Sequence, residues 1–412
     1  AELRVRRIDA EAREVVLDAV AFEKLAVLRV DDAGTRPAVF RYDGARLSID
    51  LSDVPDGGTA SVRVTWRATP RRGLFFFAPD EHVKRPRQVW TQGQDQDNRH
   101  WFPCQDHPGA RTKSSMKVTV PAGHFALSNG RLVSRTPSAG GETFHWALAE
   151  PHPPYLVMLA VGELDEGHAE AGGVPISYYV PKGQGAHIER SFGRTPAMLA
   201  LFAERTGQPF PWEKYAQVVV TDFFFGGMEN TSATTLYDRA ILDERASLDV
   251  DVDSLVSHEL AHQWFGDLLT CREWTHAWLN EGFATFFEHV WREHHEGKDE
   301  YLYGLLSDLD VWADEDHGRY RRPIVTNRWA APIDLFADAL EGGALGDTPD
   351  QPRGAHRATS YLGEVVMATK TRYSATYPPA DEIWLDLSRH SHTTRYEESA
   401  MTPRSTVTGA PP

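Results

Sequence analysis

Two imidazoles and two carboxylates in residues 254–291 carry chemistry in their types and their spacing. His258 and His262 stand four apart, so on a helix they project from one face about one turn apart, close enough to hold a single cation. Neutral imidazoles in that arrangement suit zinc. Glu259 follows at roughly 100° around the helix, where its carboxylate reaches water at the cation without joining the ligand set, the position of a general base. A catalytic zinc takes three protein ligands and keeps a fourth position open, and Glu281 is the obvious third donor.

The elements that must bring these groups together are legible around them. Leu279, Phe283, Phe286 and Phe287 recur at helical spacing about Glu281, which predicts a second helix returning past the first. Gly266 stops the first helix, and the stretch FGDLLTCREWTH is long enough for the reversal. His289, His294 and His295 follow on the second helix without an acidic partner at ligand spacing, and they read as exposed side chains.

Upstream, about thirty residues before His258, stands Gly226-Gly227-Met228-Glu229-Asn230. The VVV run before it predicts a strand, and the tandem glycines let another backbone approach closely. As a sheet edge that strand would pair with an extended peptide and lead it towards the metal.

Together these motifs resemble the M1 family of zinc aminopeptidases, marked by G-x-M-E-N, then H-E-x-x-H, eighteen residues and E; residues 263–280 are that spacer. The resemblance implies one Zn2+ per chain held by His258, His262 and Glu281, with Glu259 as general base. It also implies substrates that are peptides with a free N-terminus, lying along Gly226, Gly227 and Met228, with Glu229 on the α-amino group. Residues 90–108, WTQGQDQDNRHWFPCQDHP, match the family's Q/E-x4-R-x2-FPC-x-D-x-P segment. By that match Gln94 lines the pocket near the amino end, while Arg99 and Asp106 brace the loop.

RRPIVT and PIDLF continue the likeness, and there the pattern breaks. The family presents Y-x-K-G shortly afterwards, and its tyrosine hydroxyl donates to the oxyanion of the tetrahedral intermediate. Here the Lys is absent, and Tyr361, followed by Gly363, is the nearest candidate.

The bulk composition sets limits on class. With 412 residues, 41% hydrophobic and 25% charged, the chain is an ordinary globular protein of two or three domains. A formal charge of −16 without a Lys/Arg cluster opposes phosphate backbones and anionic lipid, so no nucleic acid partner is expected. No run of eighteen apolar residues exists, so no membrane span is expected. Cys104 and Cys271 are too few for a disulfide scaffold and suit buried thiols, which points to the cytoplasm. The first residue is Ala1 rather than Met, without a signal-peptide pattern, as a removed leader would leave it. Nothing in the sequence sets an oligomeric state.

The expected fold class is α+β and multidomain. Residues 1–170 hold short β-rich stretches punctuated by Gly, Pro and Asp, an N-terminal antiparallel β domain in which FFFAP reads as a buried strand end. Residues 171–340 form a thermolysin-like catalytic zinc domain. Residues 341–412 read as a divergent, frame-altered or incomplete remnant of its last helices, truncated and irregular. Two rival functions share the same site: a catalytically impaired zinc-bearing protein that binds peptides, and an epoxide hydrolase or endopeptidase.

Overall fold

Alternating polar and apolar residues build the first half of the chain. In Arg46–Asp50 the inward Leu47 and Ile49 are fully buried, and Glu14–Asp18 and Phe40–Tyr42 flank this strand antiparallel. A four-stranded antiparallel sheet, ordered Glu2–Arg6, Thr59–Arg67, Glu23–Asp31 and Gly34–Pro37, adds Val27, Val62 and Val64 to the same core. The computed structural model describes residues 1–318 apart from 10, 33, 83 and 84, together with Val325, Trp329 and Pro332. Tyr361, residues 341–412 and nearly all of RRPIVT and PIDLF lie outside the described residues.

A second pair of antiparallel sheets follows. One is ordered Phe125–Ser128, Leu159–Gly162, Gln88–Thr91 and Leu74–Phe77; the other is ordered Thr112–Pro121, Gly141–His152 and Arg131–Ser138. Their core of Trp90, Leu127, Phe144 and Trp146 is continuous with Val218, Met228 and Trp274 of the second half, so the two halves share one apolar interior. The FFFAP run is only partly in that interior. Phe75 and Phe77 lie against Trp90 with ring centroids 4.7 and 5.1 Å away, whereas Phe76 is 66% exposed, because successive strand side chains face opposite ways.

The second half is built on a mixed five-stranded sheet ordered Leu164–Ala171, Val174–Pro181, Tyr215–Val220, Ala233–Tyr237 and Gly227–Met228. The expected boundary at residue 170 falls inside its first strand; the chain changes sheet earlier, between Gly162 and Leu164. The VVV strand is not the edge. Tyr215–Val220 is buried at every position and runs parallel to both neighbours, as an unbroken apolar run requires. The edge on this side, opposite Leu164–Ala171, is the two-residue strand Gly227–Met228, antiparallel to Ala233–Tyr237.

Helices cover this sheet. Thr195–Thr206 ends on Gly207, which takes φ 68° as a left-handed C-cap. Phe202 of that helix meets Phe287 edge-on at 4.9 Å, and Trp291 Nε1 donates to Asp253 Oδ2 at 2.9 Å, which fastens Asp253–Ala261 to Trp278–Glu296. Among the described residues no helix is long and apolar enough to cross a membrane.

Candidate active site

Asp253–Ala261 carries His258 on its last turn, and His262 caps it, so one turn of helix separates the two rings. Glu281 comes from the first turn of Trp278–Glu296. The three facing atoms converge: His258 Nε2 to His262 Nε2 is 3.0 Å, His258 Nε2 to Glu281 Oε2 is 3.5 Å, and His262 Nε2 to Glu281 Oε2 is 3.3 Å. Tetrahedral zinc about 2.0 Å from each donor holds its ligands about 3.3 Å apart, so this donor set fits zinc in both chemistry and spacing.

The outer nitrogens of both rings are already engaged. His262 Nδ1 lies 2.9 Å from the Phe265 carbonyl oxygen, which can only accept, so that nitrogen carries the proton and Nε2 presents its lone pair. His258 Nδ1 lies 2.7 Å from Glu288 Oε1, which orients the second ring in the same way. Glu288 escaped the sequence reading, although its place seven residues after Glu281, two turns along one helix face, was an available signal. Replacing Glu288 by Ala is expected to weaken zinc binding by ~10–100-fold with little change in fold. Competition titration against a chelator, beside thermal melting, measures it; an unchanged zinc affinity contradicts the role.

His289 is not the exposed residue its sequence context implied. It is 5% exposed, and its Nε2 lies 2.7 Å from Asp308 Oδ2, an acid supplied by the following helix Lys298–Gly318. His294 and His295 are exposed.

Glu259 is 5% exposed, and its Oε2 makes no hydrogen bond among the described residues. Burial pushes its carboxyl up to about 8, while His258 and His262 pull it down. The carboxylate lies against Gly227: a Cβ built there would stand 2.3 Å from Glu259 Oε1. The second glycine of the tandem thus admits the Glu259 side chain on its Cα side.

Glu229 follows the edge strand directly and is 3% exposed. Burial raises its pKa, His262 and His258 lower it, and Glu281 raises it, which places this carboxylate within the field of the metal-binding set. A second acid missed in the sequence, Asp267, is fully buried nearby; burial holds its carboxyl well above the usual range, and Glu229 adds to the effect. Gly226 accepts from Tyr237 N at 3.0 Å, which leaves the far side of Gly227–Met228 without a strand partner among the described residues.

The loop 90–108 reaches this edge from the β domain. Gln92 Nε2 lies 3.1 Å from Met228 Sδ, a contact the sequence did not suggest. Gln94, two residues on, is half-buried with its Nε2 in the interior and unbonded among the described residues. Arg99 Nε lies 3.2 Å from Asp106 Oδ2, and an Arg99 Nη donates to the Asp106 carbonyl at 2.9 Å, so this pair closes the loop on itself.

Two histidines and a glutamate on a helix pair, beside a free sheet edge and an antiparallel β domain, define the class of helical HExxH zinc metallopeptidases. Sequence comparison refines this. The family model for the peptidase M1 N-terminal domain matches residues 3–156, and that for the peptidase family M1 domain matches residues 190–339. The chain belongs to peptidase family M1. It is 30% identical to Aminopeptidase M1-B of Oryza sativa subsp. japonica over 359 residues, 82% of this chain and 40% of the rice protein. It is 33% identical to Aminopeptidase B of Homo sapiens over 227 residues, 55% of this chain and 33% of the human one. A solved mutant M1 zinc metallopeptidase from Deinococcus radiodurans, bound to a Tyr-Ser-Ala substrate, shares the fold with TM-score 0.63 and 23% identity over 89% of this chain and 82% of that one. The chain spans about two fifths of the length of the rice relative.

Proposed function

We propose that this chain is a zinc aminopeptidase that hydrolyses the first peptide bond of a peptide with a free N-terminus. The observation that carries the reading is Glu229: a buried carboxylate at the end of a free edge strand, in the field of the two histidines and Glu281. Zinc, when bound, supplies Lewis acidity to the scissile carbonyl and makes water a stronger nucleophile at neutral pH. The chain's own residues do the rest. The outer edge of Gly227–Met228 offers main-chain groups to the extended peptide, and Glu229, helped by Gln94, pairs with its ammonium. Glu259 takes a proton from the attacking water and returns it to the departing nitrogen as the carbon–nitrogen bond breaks. One amino acid and a peptide shortened by one residue leave. Both cysteines are buried free thiols, which supports a reducing compartment, the cytoplasm, as its location.

Aminoacyl-coumarin substrates with free and acetylated amines, run on the wild type and on Glu229→Ala, test the assignment. The wild type is expected to prefer the free amine, and Glu229→Ala to lower that preference by about 10²-fold or more while retaining zinc, because the ammonium then enters the site unpaired. A preference that stays put in the variant, or cleavage of acetylated peptides at internal bonds by the wild type, overturns it.

A further inference from the structure

The turn that carries Glu229 is tied down from three sides. Gln263, fully buried and next to His262, spans it: its Nε2 donates to the Glu229 carbonyl oxygen at 2.9 Å, and its Oε1 accepts from Ser232 N at 2.7 Å. From the β domain comes Asn129, 2% exposed just after Phe125–Ser128, whose Nδ2 donates to the Thr231 carbonyl at 2.9 Å and to the Leu156 carbonyl at 2.8 Å. Asn129 Oδ1 accepts from Met158 N at 2.8 Å, so this side chain is held firmly by its own domain. Below the turn, Lys214 Nζ donates to the Ser232 carbonyl at 2.8 Å, and Gly130 N donates to Ser232 Oγ at 2.8 Å.

Ser232 needs this support. Its φ is 65°, the left-handed region that a residue with a Cβ enters only when its surroundings over-determine it. These bonds from other elements reach the main chain of Glu229 and Thr231 and both the main chain and hydroxyl of Ser232. The Glu229 carboxylate Oε1 makes no hydrogen bond among the described residues. A backbone fixed from several elements beneath a carboxylate oxygen left open is what pre-organised recognition of an incoming cation requires.

We propose that Gln263 and Asn129 are positioning residues for free-amine recognition, one on the metal-binding helix and one in the β domain, which together fix residues 229–232. The proposal rests on the aminopeptidase reading above. Its logic is one of register: the ammonium and the scissile carbonyl are one residue apart in the substrate, so Glu229 must stand at a set distance from the metal ligands. Gln263 ties Glu229 to the residue beside His262, and Asn129 keeps the turn from pivoting about that tie. A displaced anchor leaves the ammonium poorly paired, so the loss is read in free-amine binding and preference.

The test uses the zinc-loaded full chain with leucyl-aminocoumarin and its acetylated analogue. Gln263→Met is expected to raise KM for the free-amine substrate about tenfold and to lower the free-to-acetylated preference by a similar factor. Zinc stays at one per chain and kcat changes little. Asn129→Asp, which keeps the bond from Met158 N and loses those to Thr231 and Leu156, shifts the same two quantities in the same direction despite lying in the other domain. Gln263→Glu, which keeps the acceptor for Ser232 N, falls between wild type and Gln263→Met; it and Ser232→Ala carry the test if Gln263→Met does not fold. Unchanged KM and preference in folded variants overturn the proposal, as does a fall in zinc content or kcat with KM unmoved. A wild type that releases nothing from the free-amine substrate overturns the aminopeptidase reading itself, a result distinct from an active wild type with indifferent variants.

Discussion

Glu259→Gln is expected to keep zinc at one per chain and to lower kcat by ~10²–10⁴, with KM nearly unchanged. The carboxylate is outside the three-donor set, so the isosteric amide leaves the metal site intact. It fits the pocket beside Gly227 as the acid does, and Glu259 Oε2 makes no bond among the described residues whose loss would disturb the fold. What disappears is a group able to accept a proton and give it back, an interaction made only as the reaction proceeds. Steady-state kinetics beside elemental analysis decides it. A variant with near-native kcat would place the base elsewhere, and one that had lost its zinc would make Glu259 a ligand.

Glu281→Ala is expected to abolish stoichiometric zinc, and activity with it. The two imidazoles are set by their own helix and its cap, but the third donor atom, 3.3–3.5 Å from both, arrives from a separate helix. Removing it leaves two donors and opens a second coordination position to water. The loss of affinity exceeds the ~10–100-fold expected for the outer partner Glu288. Zinc per chain after dialysis and chelator titration reports this without reference to turnover. Retention of one tightly held zinc would mean that another carboxylate completes the set, and Glu229, whose pKa already registers His262, would be the first to examine.

The sequence was most informative where local geometry dictates contact. His258, Glu259 and His262 share one helical turn, so their juxtaposition needed only the helix, and Glu281 followed from the aromatic periodicity around it. It was least informative where two elements had to meet. Glu288, Gln263 and Asp267 act through partners 30, 34 and more residues away or through burial alone, and no spacing rule joins Gln263 to the Glu229 carbonyl. His289 differs from its expected exposure for the same reason, since its partner Asp308 comes from the next helix. The edge position weighed for the VVV strand falls instead to Gly227–Met228; the uninterrupted apolar character of VVV is the mark of a central, doubly covered strand. Phe76 shows the converse, an apolar residue carried to the surface by the alternation of its strand.

The bare backbone at Gly227 makes two motifs into one object. A methyl group there would press on the Glu259 carboxylate, so a residue with a Cβ at 227 requires that side chain to shift. Positions 227 and 259 are coupled through this contact. Introducing alanine at 227 therefore calls for a shortened or redirected residue 259 in the same step.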